Sequence, residues 1–146
     1  MMKKKMVIMT ACFIFGLMLN TSVFAIKGHE SNEKPKMTIP ATAGEIFTAV
    51  DKRVKDLENI IAANTLDKVH VAAFEIRDLL LALPEKPNTL ADAGKTALKS
   101  SLNKIKQQAG LLDKYGDSND MAQTKAVFGK FKQEIEKIKK MPGLKP

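Results

Sequence analysis

Apolar residues recur every three or four positions from residue 42 to residue 141, as they do on the buried face of amphipathic helices. In the first segment, drawn at about 100° per residue, the apolar side chains fill an arc of about 140° and the charged ones face away. Three more segments repeat this pattern after short polar breaks. No stretch alternates apolar and polar residues for long enough to predict a strand. The pattern therefore predicts an all-α protein with four helices.

Residues typical of helix ends fix the predicted boundaries. The run Thr42-Ala43-Gly44-Glu45 has the spacing of a capping box, in which each of the two outer side chains bonds the other residue's backbone N–H group. Asn64 and Thr65 are typical caps for the second helix, and Pro84 should end it. The other predicted boundaries are Thr89 at the start of the third helix, Gly116 as its left-handed end, Asp117 and Ser118 at the start of the fourth, and Pro142-Gly143 at its end.

The short connections between these helices favour one arrangement. Long helices joined by short loops are typical of an antiparallel up-down-up-down four-helix bundle, which we predict for residues 41–142. Residues 26–40 contain two prolines and several small polar residues without apolar periodicity, so they are predicted to form a flexible polar leader. Residues 143–146 follow the last helix as a C-terminal tail.

The beginning of the chain has the pattern of a secretory signal peptide. Lys3–Lys5 form a basic start, Met6–Leu19 is an uncharged stretch, and small residues precede a cleavage position after Ala25. Fourteen residues in a helix span about 21 Å, which is short of the roughly 30 Å hydrocarbon core of a bilayer. We therefore predict that residues 1–25 are removed and that the protein is periplasmic or secreted. A retained anchor and a lipid attached at Cys12 are the alternatives.

Composition narrows the partners and the chemistry. The chain has a net charge of +8, and loss of Lys3–Lys5 with the signal leaves +5. A basic protein outside the cytoplasm is expected to meet anionic lipid or an acidic protein rather than nucleic acid. Its only cysteine, Cys12, falls in the predicted signal, so the remaining chain has neither a disulfide nor a cysteine-based metal site. The predicted fourth helix carries six lysines, which indicate either an anionic-membrane contact or a solvated face.

Motifs for catalysis are absent from the sequence. Neither a phosphate-binding glycine loop nor a serine nucleophile elbow occurs. The predicted helical region has one histidine, His70, as a candidate base, and no serine or threonine is paired with it by local spacing. The Glu-x-x-His pairs of di-iron bundles are also missing. We therefore predict that the protein is not an enzyme.

His70 is the main candidate for binding chemistry. It lies about 80° from the centre of its helix's apolar stripe, Arg77 follows two turns later on the same line, and Asp67 precedes it by one turn. One interpretation is an anion or partner contact made by His70, Arg77 and Asp67, or a metal site that uses His70. The other is a boundary histidine bonded to Asp67, with the arginine stem covering apolar surface. One histidine and one carboxylate are too few ligands for tight metal binding within one chain.

The layout of residues 42–141 resembles that of bacterial periplasmic bundles of the cytochrome b562 type. The shared features are a signal peptide, four helices, a proline-containing loop between the second and third, and a Gly-Asp-Ser turn before the fourth. That family holds haem with a methionine of the first helix and a histidine of the last. Here the first helix has no methionine and the fourth has no histidine. The resemblance therefore implies the fold but not haem binding.

The segment Asp67–Leu79, with the spacing His-x3-Phe-x2-Arg-Asp, resembles a second family. It is similar to the second helix of periplasmic helical domains that accompany heavy-metal efflux and copper-handling systems in bacteria. This resemblance implies a role in metal stress and makes His70 the residue to test.

These features predict a non-enzymatic helical-bundle protein that acts by binding, as an accessory protein linked to metal homeostasis or envelope stress. Its expected partner is a protein or another envelope component. Two alternatives stay open: a cytochrome b562-type ligand or electron carrier with non-standard ligands, and a basic bundle attached to anionic membrane surfaces. No cofactor is predicted apart from a metal ion at His70.

Overall fold

Four α-helices account for most of the residues that the computed structural model describes, which are residues 37–144. They are α1 (Ala43–Ala62), α2 (Val69–Leu81), α3 (Asp92–Asp117) and α4 (Met121–Lys139). Two 3-10 turns, Leu66–Lys68 and Leu83–Glu85, flank α2. Residues 37–144 contain no strand, so the all-α prediction is confirmed there. The predicted signal peptide and residues 26–36 of the predicted leader lie outside the described residues.

The predicted capping box at the start of α1 is confirmed. The Thr42 hydroxyl accepts a hydrogen bond from the Glu45 backbone N–H at 3.2 Å, and the Glu45 carboxylate accepts one from the Thr42 N–H at 3.1 Å. These bonds, led by the one from the Thr42 backbone, hold the pKa of the Glu45 carboxyl below its usual value. Two N–H groups that have no partner within the helix are thereby satisfied.

The boundary between α1 and α2 differs from the prediction. Asn64 has a φ of 57° and ends α1 in a left-handed conformation, which asparagine tolerates better than most residues. The Thr65 backbone N–H and hydroxyl both donate to the carbonyl oxygen of Ile60, at 3.1 and 3.2 Å. Both residues therefore close α1 instead of capping α2, and that prediction was wrong. The 3-10 turn Leu66–Lys68 then leads into α2.

The start of α3 was also predicted too early. The residue that precedes the helix is Ala91, whose side chain makes no capping bond. Thr89 uses its backbone N–H to bind the carbonyl oxygen of Gly143 at 3.0 Å, which draws it into a contact with the C-terminal segment. The Asn88 side chain accepts from the Leu90 N–H at 3.3 Å and so stabilises the loop before the helix.

The turn between α3 and α4 uses different residues from those predicted. Gly116 lies inside α3 and is helical, whereas Asn119 takes the left-handed conformation with a φ of 53°. The N-cap of α4 is Asp120, whose carboxylate accepts from the Gln123 N–H at 3.0 Å. Asp117 and Ser118 therefore end α3 and do not start α4.

The apolar stripes of all four helices meet in one core. Consecutive helices pack on each other, and α1 also contacts α4. The largest side chains that are fully buried there include Ile46, Leu57, Ile76, Leu80, Leu83, Ile105, Leu112, Phe131, Ile135 and Ile138. Burial of side chains of this size contributes roughly 1.5–3 kcal/mol each before the entropic cost of ordering them.

Residues beyond the four helices complete this core. Met37 and Ile39, from the predicted leader, are half-buried against it, and Leu144, from the predicted tail, is only 1% exposed. Gly143 turns the chain at a φ of 93°, and a Cβ there would lie 2.9 Å from the carbonyl group of Thr89. Glycine is therefore required for the chain to bring Leu144 into the core.

Among residues 37–144, no helix combines the length and the apolar composition that a membrane span requires.

Candidate metal centre

His70 lies in the first turn of α2 with its ring half-buried. The ring atom Nδ1 is 3.0 Å from the backbone carbonyl oxygen of Asp67. A carbonyl oxygen can only accept a hydrogen bond, so Nδ1 must carry the hydrogen and the neutral ring keeps its lone pair on Nε2. His70 is thus bonded to Asp67, as one of the two interpretations expected, but the acceptor is the backbone carbonyl oxygen and not the carboxylate, because the turn Leu66–Lys68 presents the carbonyl oxygen. A backbone partner of this kind is typical of histidines that bind metals.

Two aspartates of α3 lie beside this ring. Asp113 and Asp117 are four residues apart and therefore share one side of the last turns of the helix. One ligand atom from each of them and one from the His70 ring all lie within 4.8 Å of one another. His70 and Asp113 are half-buried and Asp117 is exposed. This is the one group of three or more such side chains in residues 37–144.

The two carboxylates are not neutralised by neighbouring cations. Within the described part of the chain, neither Asp113 nor Asp117 forms an ion pair with a lysine or arginine. Both also lie near the C-terminus of α3, where the free backbone carbonyl groups add negative potential. The local field therefore favours a cation.

Gly116 explains how the two helices come close enough to form this cluster. It is buried, and a Cβ placed on it would lie 2.9 Å from the Leu66 carbonyl oxygen and 3.3 Å from the Val69 Cβ. With hydrogen in that position, the last turn of α3 packs directly on the backbone that leads into α2. Asp113 and Asp117 flank Gly116 in sequence, so the same close approach carries them to His70.

The donor set decides which ions could bind. One imidazole nitrogen and two carboxylate oxygens suit borderline divalent ions such as Zn²⁺, Ni²⁺, Co²⁺ and Cu²⁺. These ligands bind Zn²⁺ at about 2.0–2.2 Å, so their donor atoms must lie about 3–3.5 Å apart around one ion. In the structure these atoms lie within 4.8 Å of one another, so the side chains would have to move closer together to hold one ion. Three protein ligands leave at least one coordination position for water or another molecule.

Arg77 does not join this cluster. Its Nε atom is 2.7 Å from a carboxylate oxygen of Asp78, and its guanidinium carbon lies 4.2 Å from the centre of the Phe74 ring. Arg77 is thus engaged by an ion pair and a cation–π contact two turns beyond His70. The structure does not bring the side chains of His70, Arg77 and Asp67 together as one site.

The lysines of α4 are partly neutralised by carboxylates. Lys139 binds Asp51 of α1 at 2.8 Å, and Lys132 pairs with Glu58 of the same helix. Lys137 lies 3.4 Å from Glu134. Three of the six lysines on the predicted basic face are therefore paired, which lowers the charge available for an anionic surface.

In comparisons with known proteins, no family model, no curated protein and no solved structure matches this chain. The two resemblances drawn from the sequence therefore remain predictions.

His70 is identifiable as a candidate from the sequence, but its two partners are not. Asp113 and Asp117 follow 43 and 47 residues later, and only the packing of α3 on α2 brings them to the ring. The available signal was the Asp-x3-Asp spacing, which places two carboxylates on one side of a predicted helix. That spacing becomes informative only when the facing helix also supplies a histidine.

Proposed function

We propose that this protein is a non-enzymatic helical-bundle protein that binds a divalent transition-metal ion through His70, Asp113 and Asp117. The observation that carries the proposal is the convergence of three donor atoms from two helices within 4.8 Å. The Nδ1 bond to the Asp67 carbonyl supports it, because it leaves Nε2 as the electron-pair donor.

The helices are proposed to form an up-down-up-down antiparallel bundle. Two ion pairs between α1 and α4 support this arrangement: Asp51 with Lys139 and Glu58 with Lys132. A step of seven residues forward along α1 is matched by a step of seven residues backward along α4, as expected for antiparallel neighbours. The short connections between successive helices agree with this order.

The incomplete ligand set supports binding with exchange. Structural zinc sites have four protein ligands, whereas sites with three keep a position open to water or a partner. Asp117 is also exposed to solvent, so an ion can enter and leave without unfolding. We therefore propose an accessory role in metal homeostasis, in the periplasm or outside the cell, in which the protein buffers or passes on a metal ion.

Zinc titration of the full-length protein, purified without chelators, tests this proposal. Isothermal titration calorimetry at pH 7 should show one Zn²⁺ site. Asp113→Asn and His70→Ala should each weaken that site at least about tenfold, because each removes a ligand. Asp92→Asn is the matched control, since it removes a carboxylate from the other end of the same helix and should change the affinity less than about twofold.

Two results would contradict the proposal. One is the absence of binding by Zn²⁺ and by Cu²⁺, which is the tightest binder in the first-row divalent series. The other is an Asp113→Asn variant that retains the affinity of the unmodified protein. Far-ultraviolet circular dichroism of each variant separates loss of a ligand from loss of the fold.

A further inference from the structure

A groove of about 470 Å³ lies between the end of α2 and the first half of α3. Its apolar part is formed by Pro84 and four leucines, with Leu81 from α2 and Leu98 and Leu102 from α3 among them. Leu98 and Leu102 are buried, whereas Leu81 is half-buried. The volume falls in the range of about 300–1,000 Å³ that is typical of small-molecule sites. None of the three proposed metal ligands lines this groove.

The charged side chains that line the groove are all basic. Lys95, Lys99 and Lys106 line it, and no aspartate or glutamate does. Their spacing of four and seven residues places them along one side of α3. Lys95 and Lys99 lie one turn apart, and like charges at this spacing destabilise a helix, so a bound anion would relieve their repulsion.

The chain itself offers these lysines little compensation. In residues 37–144, Lys99 and Lys106 form no ion pair, and Lys95 pairs only with Asp92, whose side chain is 99% exposed. An ion pair that is this exposed contributes little. The N-terminal 36 residues carry six lysines and two glutamates, so their charge does not complement the groove. A second copy of a chain with a net charge of +8 is disfavoured for the same reason.

An apolar surface bordered by unpaired ammonium groups fits a molecule with an alkyl chain and an anionic head. The apolar lining, in which Leu81 is the most accessible leucine, would cover the chain, and Lys99 and Lys106 would bind the head through charge-assisted hydrogen bonds. We propose that this groove binds a single-chain fatty acid, with its carboxylate against Lys99 and Lys106. This site is separate from the metal centre and does not depend on it.

Titration with sodium dodecanoate, kept below its micelle concentration and with EDTA present, tests the proposal on the full-length protein. We expect one site that weakens as the salt concentration rises. The double substitution Lys99→Gln and Lys106→Gln should weaken dodecanoate binding at least about tenfold, because it removes both charged donors. The matched control is Lys125→Gln with Lys130→Gln, two exposed lysines of α4, which should change the affinity less than about twofold.

A second variant tests the shape of the site. Asn103 is exposed and lines the groove, so Asn103→Trp should block it without disturbing the core. Dodecyltrimethylammonium has the same chain with a cationic head and should not bind. Failure of dodecanoate to bind, equal binding of the two amphiphiles, or full affinity in either the double variant or the Asn103→Trp variant would overturn the proposal. Thermal melts of each variant confirm that it is folded.

Discussion

The ring of His70 is oriented by a backbone carbonyl three residues earlier, not by the carboxylate that the sequence places within reach. The difference arises because Leu66–Lys68 form a 3-10 turn, which directs the Asp67 carbonyl oxygen at Nδ1 and leaves its side chain exposed. Residue spacing identified the correct pair of residues but could not distinguish the two acceptor groups. Main-chain direction at a helix start depends on how the preceding helix ends, and here Asn64 decides that.

Substitution of two threonines tests which of the predicted helix caps stabilise the protein. Thr42→Ala should reduce the free energy of unfolding by about 1 kcal/mol, because its hydroxyl caps the Glu45 N–H of α1. Thr89→Ala should change it by less than about 0.5 kcal/mol, since that residue contributes its backbone N–H to Gly143 and makes no side-chain cap. Urea unfolding followed by circular dichroism measures both. Equal losses would show that Thr89 caps α3 after all.

The four helices were well predicted as elements, but most of their ends were not, the capping box at the start of α1 being an exception. The periodicity of 3.6 residues located all four helices because burial of an apolar stripe determines where a helix lies. The ends depend on single residues whose signals overlap: asparagine can cap the next helix or end the previous one. Gly116 illustrates the ambiguity. A glycine near the end of a helix can adopt a left-handed φ, as was predicted, or it can allow close packing against a neighbouring segment, as is observed.

Substitution of two glycines in α3 tests the packing of that helix on α2. Gly116→Ala should lower the free energy of unfolding by about 1–3 kcal/mol, because the new methyl group meets backbone at 2.9 Å. It should also weaken Zn²⁺ binding, since the helices must separate. Gly110→Ala is the control: it has open space around it and should raise stability by about 0.5–1 kcal/mol through its higher helix propensity. If both substitutions stabilise the protein, the close approach at Gly116 is not tight.

At the scale of the whole molecule, the sequence predicted the helical class and most of the core, but not the segments that close it. Met37, Ile39 and Leu144 pack against that core from regions that were predicted to be leader or tail. Short segments next to prolines and glycines have too few residues to display a period. Their burial depends on tertiary contacts, such as the bond between Thr89 and Gly143, and local pattern does not contain that information.

The stability of the protein in acid should depend on Glu134, a residue of α4 that pairs with a lysine of α3. The Glu134 carboxylate is nearly buried and lies 3.4 Å from the Lys137 ammonium and 3.7 Å from that of Lys104. Burial alone would raise its pKa, but the hydroxyl of Ser101 and these two cations outweigh burial, so the pKa is lowered from 4.5. A lowered pKa in the folded state means that the ionised carboxylate stabilises the fold above the unfolded pKa. That contribution is lost as pH falls through the folded pKa.

Glu134→Gln should therefore reduce the free energy of unfolding at pH 7, by about 1 kcal/mol, and flatten its decline between about pH 5 and pH 3. Urea unfolding across that range provides the measurement. Glu85→Gln changes an exposed glutamate that has no ion pair in the described residues and should leave the profile unaltered. A Glu134→Gln profile parallel to that of the unmodified protein would contradict the assignment.

The proposed metal ligands come from segments 43 residues apart, and this separation links ion supply to the lifetime of the folded protein. An ion held by His70 of α2 and Asp113 of α3 binds only when both helices are in place. Its binding free energy then adds to that of folding, by about 2.7 kcal/mol when the free ion is at 100 times its dissociation constant. Proteases that cleave unfolded chains would consequently remove the ion-free protein first, so the amount of protein would follow the amount of metal.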